Sequence, residues 1–134
     1  MSEIERRASA YGLAPIRWPE PWPGNTLFAM RAAVFAKQTG RTVSFALAAF
    51  RQAFAAGRDL TDPDNVLIAA AAAELHPRAV AKAVETEAVK KALRDASDRA
   101  GDAGVKGVPT LLVDGEAFWG DDRLEEAVGA LSRA

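Results

Sequence analysis

The sequence predicts a mostly helical α/β chain. Three observations carry that reading. Apolar residues recur at intervals of three and four along most of the first hundred positions, the signature of helices buried on one face. After Gly104 this periodicity gives way to a continuous apolar run, Thr110–Val113. Asp114-Gly115 follows at once, the strongest short hairpin signal in the chain.

The elements follow in order. Ser2 and Glu5 have the spacing of a capping box, and Ile4, Ala8 and Tyr11 continue at helical intervals, so a short helix ends near Gly12. Pro15, Pro19, Pro21 and Pro23 then forbid helix and favour an extended connector bearing Trp18 and Trp22, with Ile16 to Trp18 briefly extended. Asn25 is a good N-cap for a helix that presents Leu27, Met30 and Val34, with Phe28 and Phe35 beside them, until Gly40. Thr42 opens the next helix, in which Val43, Ala46, Leu47, Phe50 and Phe54 form the apolar face and Gly57 the stop. These two helices are expected to pack as an antiparallel pair.

Arg58-Asp59 offers a surface ion pair, and Thr61-Asp62-Pro63-Asp64 places a cap before a first-turn proline. The helix that follows runs toward Leu75 and carries five alanines at 69–73, read as low complexity before close helix approach. His76-Pro77 starts a short helix, and Thr86 caps a longer one through Val89, Leu93, Ala96 and Ala100, ended by Gly101 and Gly104. Beyond the hairpin a last helix offers Leu124, Ala127, Val128 and Leu131 to the strands. A lone two-stranded hairpin is marginal in water, and Leu111-Leu112-Val113 calls for cover on both faces, so the sheet lacks strands.

Composition narrows the function. The 134 residues are 49% hydrophobic and 26% charged, which fits one globular domain over 1–134. The 17 basic and 18 acidic residues are scattered, without a Lys/Arg block to track a phosphate backbone, and this argues against nucleic acid as a partner. No apolar stretch approaches the roughly 20 residues of a bilayer span, and the start Met1-Ser2-Glu3-Ile4-Glu5-Arg6-Arg7 has no signal-peptide core, so the expectation is a cytoplasmic protein away from membranes. With no cysteine and one histidine, His76, there is no dithiol centre and no thiolate or multi-histidine metal site.

Gly107-Val108-Pro109-Thr110, Val113-Asp114-Gly115 and Phe118-Trp119-Gly120-Asp121-Asp122-Arg123-Leu124 resemble the DsbA-like thioredoxin superfamily, as do the helix entry from Pro23-Gly24-Asn25 and Gly57-Arg58-Asp59-Leu60-Thr61-Asp62-Pro63. The branch most similar is that of 2-hydroxychromene-2-carboxylate isomerases and kappa-class glutathione transferases. The resemblance covers nearly all of this chain and about the last two thirds of a complete member by domain anatomy. It implies a helical insert over 1–100 and the C-terminal half of a thioredoxin fold, hairpin plus helix, over 101–134.

The resemblance also implies a role for each candidate residue. Pro109 resembles the family's cis-proline, which leaves the Val108 main chain to pair with the cysteinyl backbone of glutathione; by base rate alone such a bond is trans, since roughly 5% of X-Pro bonds are cis. Asp122 and Arg123 resemble the helix-entry residues that take the γ-glutamyl end, although capping alone would also place an Asp there. Asn25 and Trp119 stand as substrate-pocket candidates, the former more simply explained as a cap. The sulfur-holding serine or Cys-x-x-Cys of the family lies before the region matched, and Ser2 and Ser9 do not replace it, so no catalytic residue is named.

The function implied is that of a glutathione-dependent isomerase, incomplete and inactive alone, with glutathione as co-substrate, a small-molecule substrate and no metal. Two alternatives stay open: a non-catalytic glutathione- or peptide-binding or dimerising remnant, and a thiol-disulfide oxidoreductase whose active site lies upstream. Either a homodimer or a preceding N-terminal segment would complete the sheet.

Overall fold

A computed structural model describes residues 2–133, which fall into two compact units divided between Leu93 and Arg94, within one helix. The first unit is helical. α1 (Glu3–Ala10) begins with the expected capping box: Ser2 Oγ accepts from the Glu5 amide, and the Glu5 side chain accepts from the Ser2 amide. α2 (Leu27–Gln38), α3 (Thr42–Phe50), α4 (Pro63–Ala72) and α5 (Pro77–Ala83) follow. α2 lies against α3, α4 and α5, and α4 also packs on α3 and α5.

The caps of α4 and α5 obey one rule. Asp62 Oδ1 accepts from the Asp64 amide and His76 Nδ1 from the Arg78 amide, each just before a proline that needs no amide partner. Asp59, expected beside Arg58, instead accepts from the amide and hydroxyl of Thr61.

The buried faces differ from those predicted. Ala29, Ala32 and Ala36 are the buried residues of α2, while Leu27 and Met30 are exposed. In α3, Phe45 and Ala49 are buried, whereas Val43, Leu47 and Phe50 are exposed. Sequence periodicity follows side-chain size, but here methyl groups line the seam. Ala69, Ala70 and Ala73 join Ala32 and Ala36 in the same core with Val66, Val80 and Val84, so three of the five clustered alanines serve close helix packing.

α3 passes into a turn of π-helix at Arg51–Ala55. The Phe54 carbonyl accepts from the Arg17 amide at 2.7 Å, and the Phe54 ring lies 5.9 Å from Trp18 and 5.3 Å from Trp22. Trp18 Nε1 also donates to Glu5 Oε1. These contacts fasten the proline-rich connector to α1 and to the π turn.

α6 (Glu87–Asp102) runs through Gly101 and stops at Gly104, whose φ of +91° ends the right-handed helix. In the second unit, β1 (Thr110–Val113) and β2 (Glu116–Trp119) form an antiparallel pair in the register Thr110↔Trp119, Leu111↔Phe118, Leu112↔Ala117 and Val113↔Glu116. Asp114 (φ +48°) and Gly115 (φ +83°) make the two-residue turn, both on the left-handed side as a tight hairpin requires. α7 (Leu124–Arg133) packs on both strands. It buries Ala127, while Leu124, Val128 and Leu131 stay exposed, because two strands cover too little of its apolar stripe. β1 and β2 are the whole sheet among the described residues, so each leaves one edge unpaired.

Candidate functional site

The turn that enters β1 is fastened on both sides of Val108. Thr110 Oγ1 donates to the Gly107 carbonyl at 2.6 Å, and the Gly120 amide donates to the Pro109 carbonyl at 2.9 Å, extending the hairpin by one rung. The Val108–Pro109 peptide bond is cis. Between these anchors Val108 is 87% exposed, and its main chain makes no hydrogen bond among the described residues. An open amide and carbonyl on a held backbone are what a short extended peptide needs for strand-like pairing.

The start of the last helix stands across the hairpin. Trp119 ends β2, Gly120 turns the chain at φ +112°, and Asp121–Arg123 form a turn of 3-10 helix leading into α7. The Asp122 carboxylate folds back over Gly120, where a Cβ would stand 2.5 Å from Oδ1 and push it aside, and the φ of +112° is one that favours glycine. Arg123 Nη2 donates to Glu126 Oε2 at 2.6 Å, and the guanidinium lies 5.0 Å from the centre of the Phe118 ring. Hydrogen bonding to Glu126 holds the Arg123 pKa above its ordinary value, and the same bond holds Glu126 below the ordinary carboxylate value.

Five of the sequence-derived candidates, Val108, Pro109, Trp119, Asp122 and Arg123, therefore belong to one unit and to one hairpin with the helix that follows it. Asn25 lies in the other unit. Its Oδ1 accepts from the Leu27 amide at 3.0 Å while Thr26 takes the N-cap position, so Asn25 caps α2 from one residue further out than expected. Sequence reasoning missed Phe118 and Glu126 as the partners of Arg123. The Arg123/Glu126 spacing of three was a readable helix-pair signal, whereas the ring contact depends on strand register. A hollow of about 250 Å³ beside α1, lined by Glu5, Leu13 and Ile16 among others, involves none of the candidates. No cluster of three or more His, Cys, Asp or Glu suited to a metal ion occurs among the described residues.

The family model of the DSBA-like thioredoxin domain matches residues 1–132. The chain belongs to this family. A curated relative, the 2-hydroxychromene-2-carboxylate isomerase of Sphingobium xenophagum, is 29% identical over 125 residues, covering 93% of this DsbA-like chain and 63% of the relative. A solved structure of a 2-hydroxychromene-2-carboxylate isomerase superposes with a TM-score of 0.85 at 19% identity, over 98% of this chain and 63% of that one, and so shares its fold. The DsbA-like chain thus spans slightly less than two thirds of the relatives it matches. No helix among its described residues is long and apolar enough to cross a membrane.

Proposed function

We propose that the second unit is the glutathione-binding part of an isomerase of the 2-hydroxychromene-2-carboxylate kind, with the first unit as its helical insert. The observation that carries this reading is the Val108 main chain, held by its neighbours and left without a hydrogen-bond partner among the described residues. Val108 pairs with the peptide backbone of the ligand, and Pro109, which has no amide of its own, leaves that pairing to its neighbour. The Asp122 carboxylate beside Gly120 meets the γ-glutamyl amine, while Arg123 reaches the ligand in exchange for Glu126. When bound, glutathione supplies a thiolate nucleophile for a small unsaturated substrate. The donors that hold that sulfur belong to the portion of the relatives with no counterpart here, and a strand of that portion pairs with the outer edge of β1.

Cysteine is absent from these residues, so a dithiol activity would require residues from elsewhere, and the isomerase relative favours the first reading. Calorimetric titration of the 134-residue chain with glutathione is expected to give binding, and an assay with a chromene carboxylate plus glutathione no turnover. Absence of glutathione binding would sink the reading; turnover by the chain alone would show that it needs no further sulfur donors.

A further inference from the structure

Gly107 has a negative φ, so its backbone conformation is open to any residue; the demand at this position is for space. A Cβ placed there would stand 2.7 Å from Cζ2 of Trp119 and 2.8 Å from Cε2 and Nε1. The indole rests on the Gly107 backbone at a spacing that only glycine admits. Trp119 is also the cross-strand partner of Thr110, whose hydroxyl holds the Gly107 carbonyl. Ring and hydroxyl, from the two strands of one rung, thus secure the residue before Val108, and the Gly120 amide secures the residue after it.

We infer that Trp119 and Gly107 are positioning residues: the indole seated on Gly107 fixes the Val108 main chain in the orientation in which a peptide-like ligand pairs with it. This rests on the reading given above for the identity of the ligand, and assigns Trp119 a role distinct from lining a substrate pocket. Trp119 is 53% exposed, so its ring can swing outward if the seat is filled. A displaced ring frees the turn, and the ligand must then order Val108 as it binds. Affinity held by preorganisation is lost in that way without the removal of any ligand contact.

The test uses the complete chain labelled with nitrogen-15 and titrated with glutathione. Gly107→Ala is expected to move the Trp119 indole resonance together with the Val108 and Thr110 amides, and to weaken glutathione binding about tenfold, or about 1.4 kcal/mol. Trp119→Leu, which empties the space above residue 107, is expected to weaken binding to a similar degree, and adding Gly107→Ala to it to change little further. Trp119→Phe should restore part of the affinity. Gly129→Ala, whose added Cβ meets only ordinary contact distances, serves as the control. A dispersed Ala127 amide certifies that the second unit folds in each variant, since that residue is buried in α7, and unmoved Val66 and Val80 amides certify the core of the other unit.

Independent, additive effects of the two substitutions would overturn the inference, as would a Val108 amide unmoved by Gly107→Ala. So would a displaced indole with unchanged glutathione affinity. Coupled resonances in a chain that binds no glutathione would instead uphold the positioning and refute the glutathione reading.

Discussion

Arg123 grips Glu126 through two hydrogen bonds, Nη2 to Oε2 at 2.6 Å and Nε to Oε1 at 3.3 Å, across one turn of chain. The pair closes the first turn of the last helix and anchors the guanidinium that lies over the Phe118 ring. It also ties the candidate site to pH and sets a competitor in front of any anionic ligand.

The pH dependence follows from the carboxylate. Glu126 titrates below its ordinary 4.5 because Arg123 hydrogen-bonds the charged form. A folded value lower than the unfolded one gives a stabilisation complete above the ordinary carboxylate range and lost as pH falls through the lowered folded value. Arg123→Ala is expected to raise the Glu126 midpoint to the ordinary value, read from its side-chain carboxyl carbon by NMR titration. An unchanged midpoint would show that the pair does not exist in solution.

Competition for Arg123 makes opposite predictions for its neighbours. Asp122→Asn and Arg123→Ala are each expected to weaken glutathione binding about tenfold, near the low end for hydrogen bonds to charged groups. Glu126→Gln, which loosens the hold on Arg123, is expected to tighten binding a few-fold. Equal affinity for Glu126→Gln and the wild type in calorimetry would mean that Arg123 never leaves Glu126 for the ligand.

The hairpin turn rests on Gly115. Its φ of +83° costs an L-residue about 1 kcal/mol or more, so Gly115→Ala is expected to loosen the β1–β2 pairing. The Gly120 amide, bonded to Pro109, reports this by faster hydrogen exchange. Exchange as slow as in the wild type would show that the hairpin does not depend on this glycine.

The helical core allows a direct comparison of faces. Val80 is fully buried, and Val80→Ala is expected to destabilise the chain by roughly 2 kcal/mol through lost transfer energy and a cavity. Val43, 71% exposed, should tolerate the same change within about 0.5 kcal/mol. Chemical denaturation of the two variants decides it, and a larger loss for Val43→Ala would reverse the assignment of inner and outer faces.

Local chemistry made most of the elements legible. The Ser2/Glu5 box, Asp62 and His76 before prolines, and the Asp114-Gly115 turn are each fixed by neighbours within three residues, and each stands where the sequence placed it. The inner faces of α2 and α3 were not legible. Alanine and leucine both count as apolar in a periodic pattern, and only the spacing of the packed helices decides that Ala32 fits inward and Leu27 does not. At the site, the motif brought Val108, Asp122 and Arg123 to one hairpin and helix start. The seat of Trp119 on Gly107 escaped notice, because two positions twelve residues apart meet only once the strand register is known.

The alanine seam has a consequence for handling the protein. Because Ala32, Ala36, Ala69 and Ala70 fill the interior, bulkier residues such as Met30, Val43, Leu47 and Phe50 face water. Sulfate and phosphate, excluded from protein surfaces, raise the free energy of such greasy exteriors in proportion to the area on display. The chain should salt out early, at concentrations where a bundle of equal size with leucines inside remains dissolved.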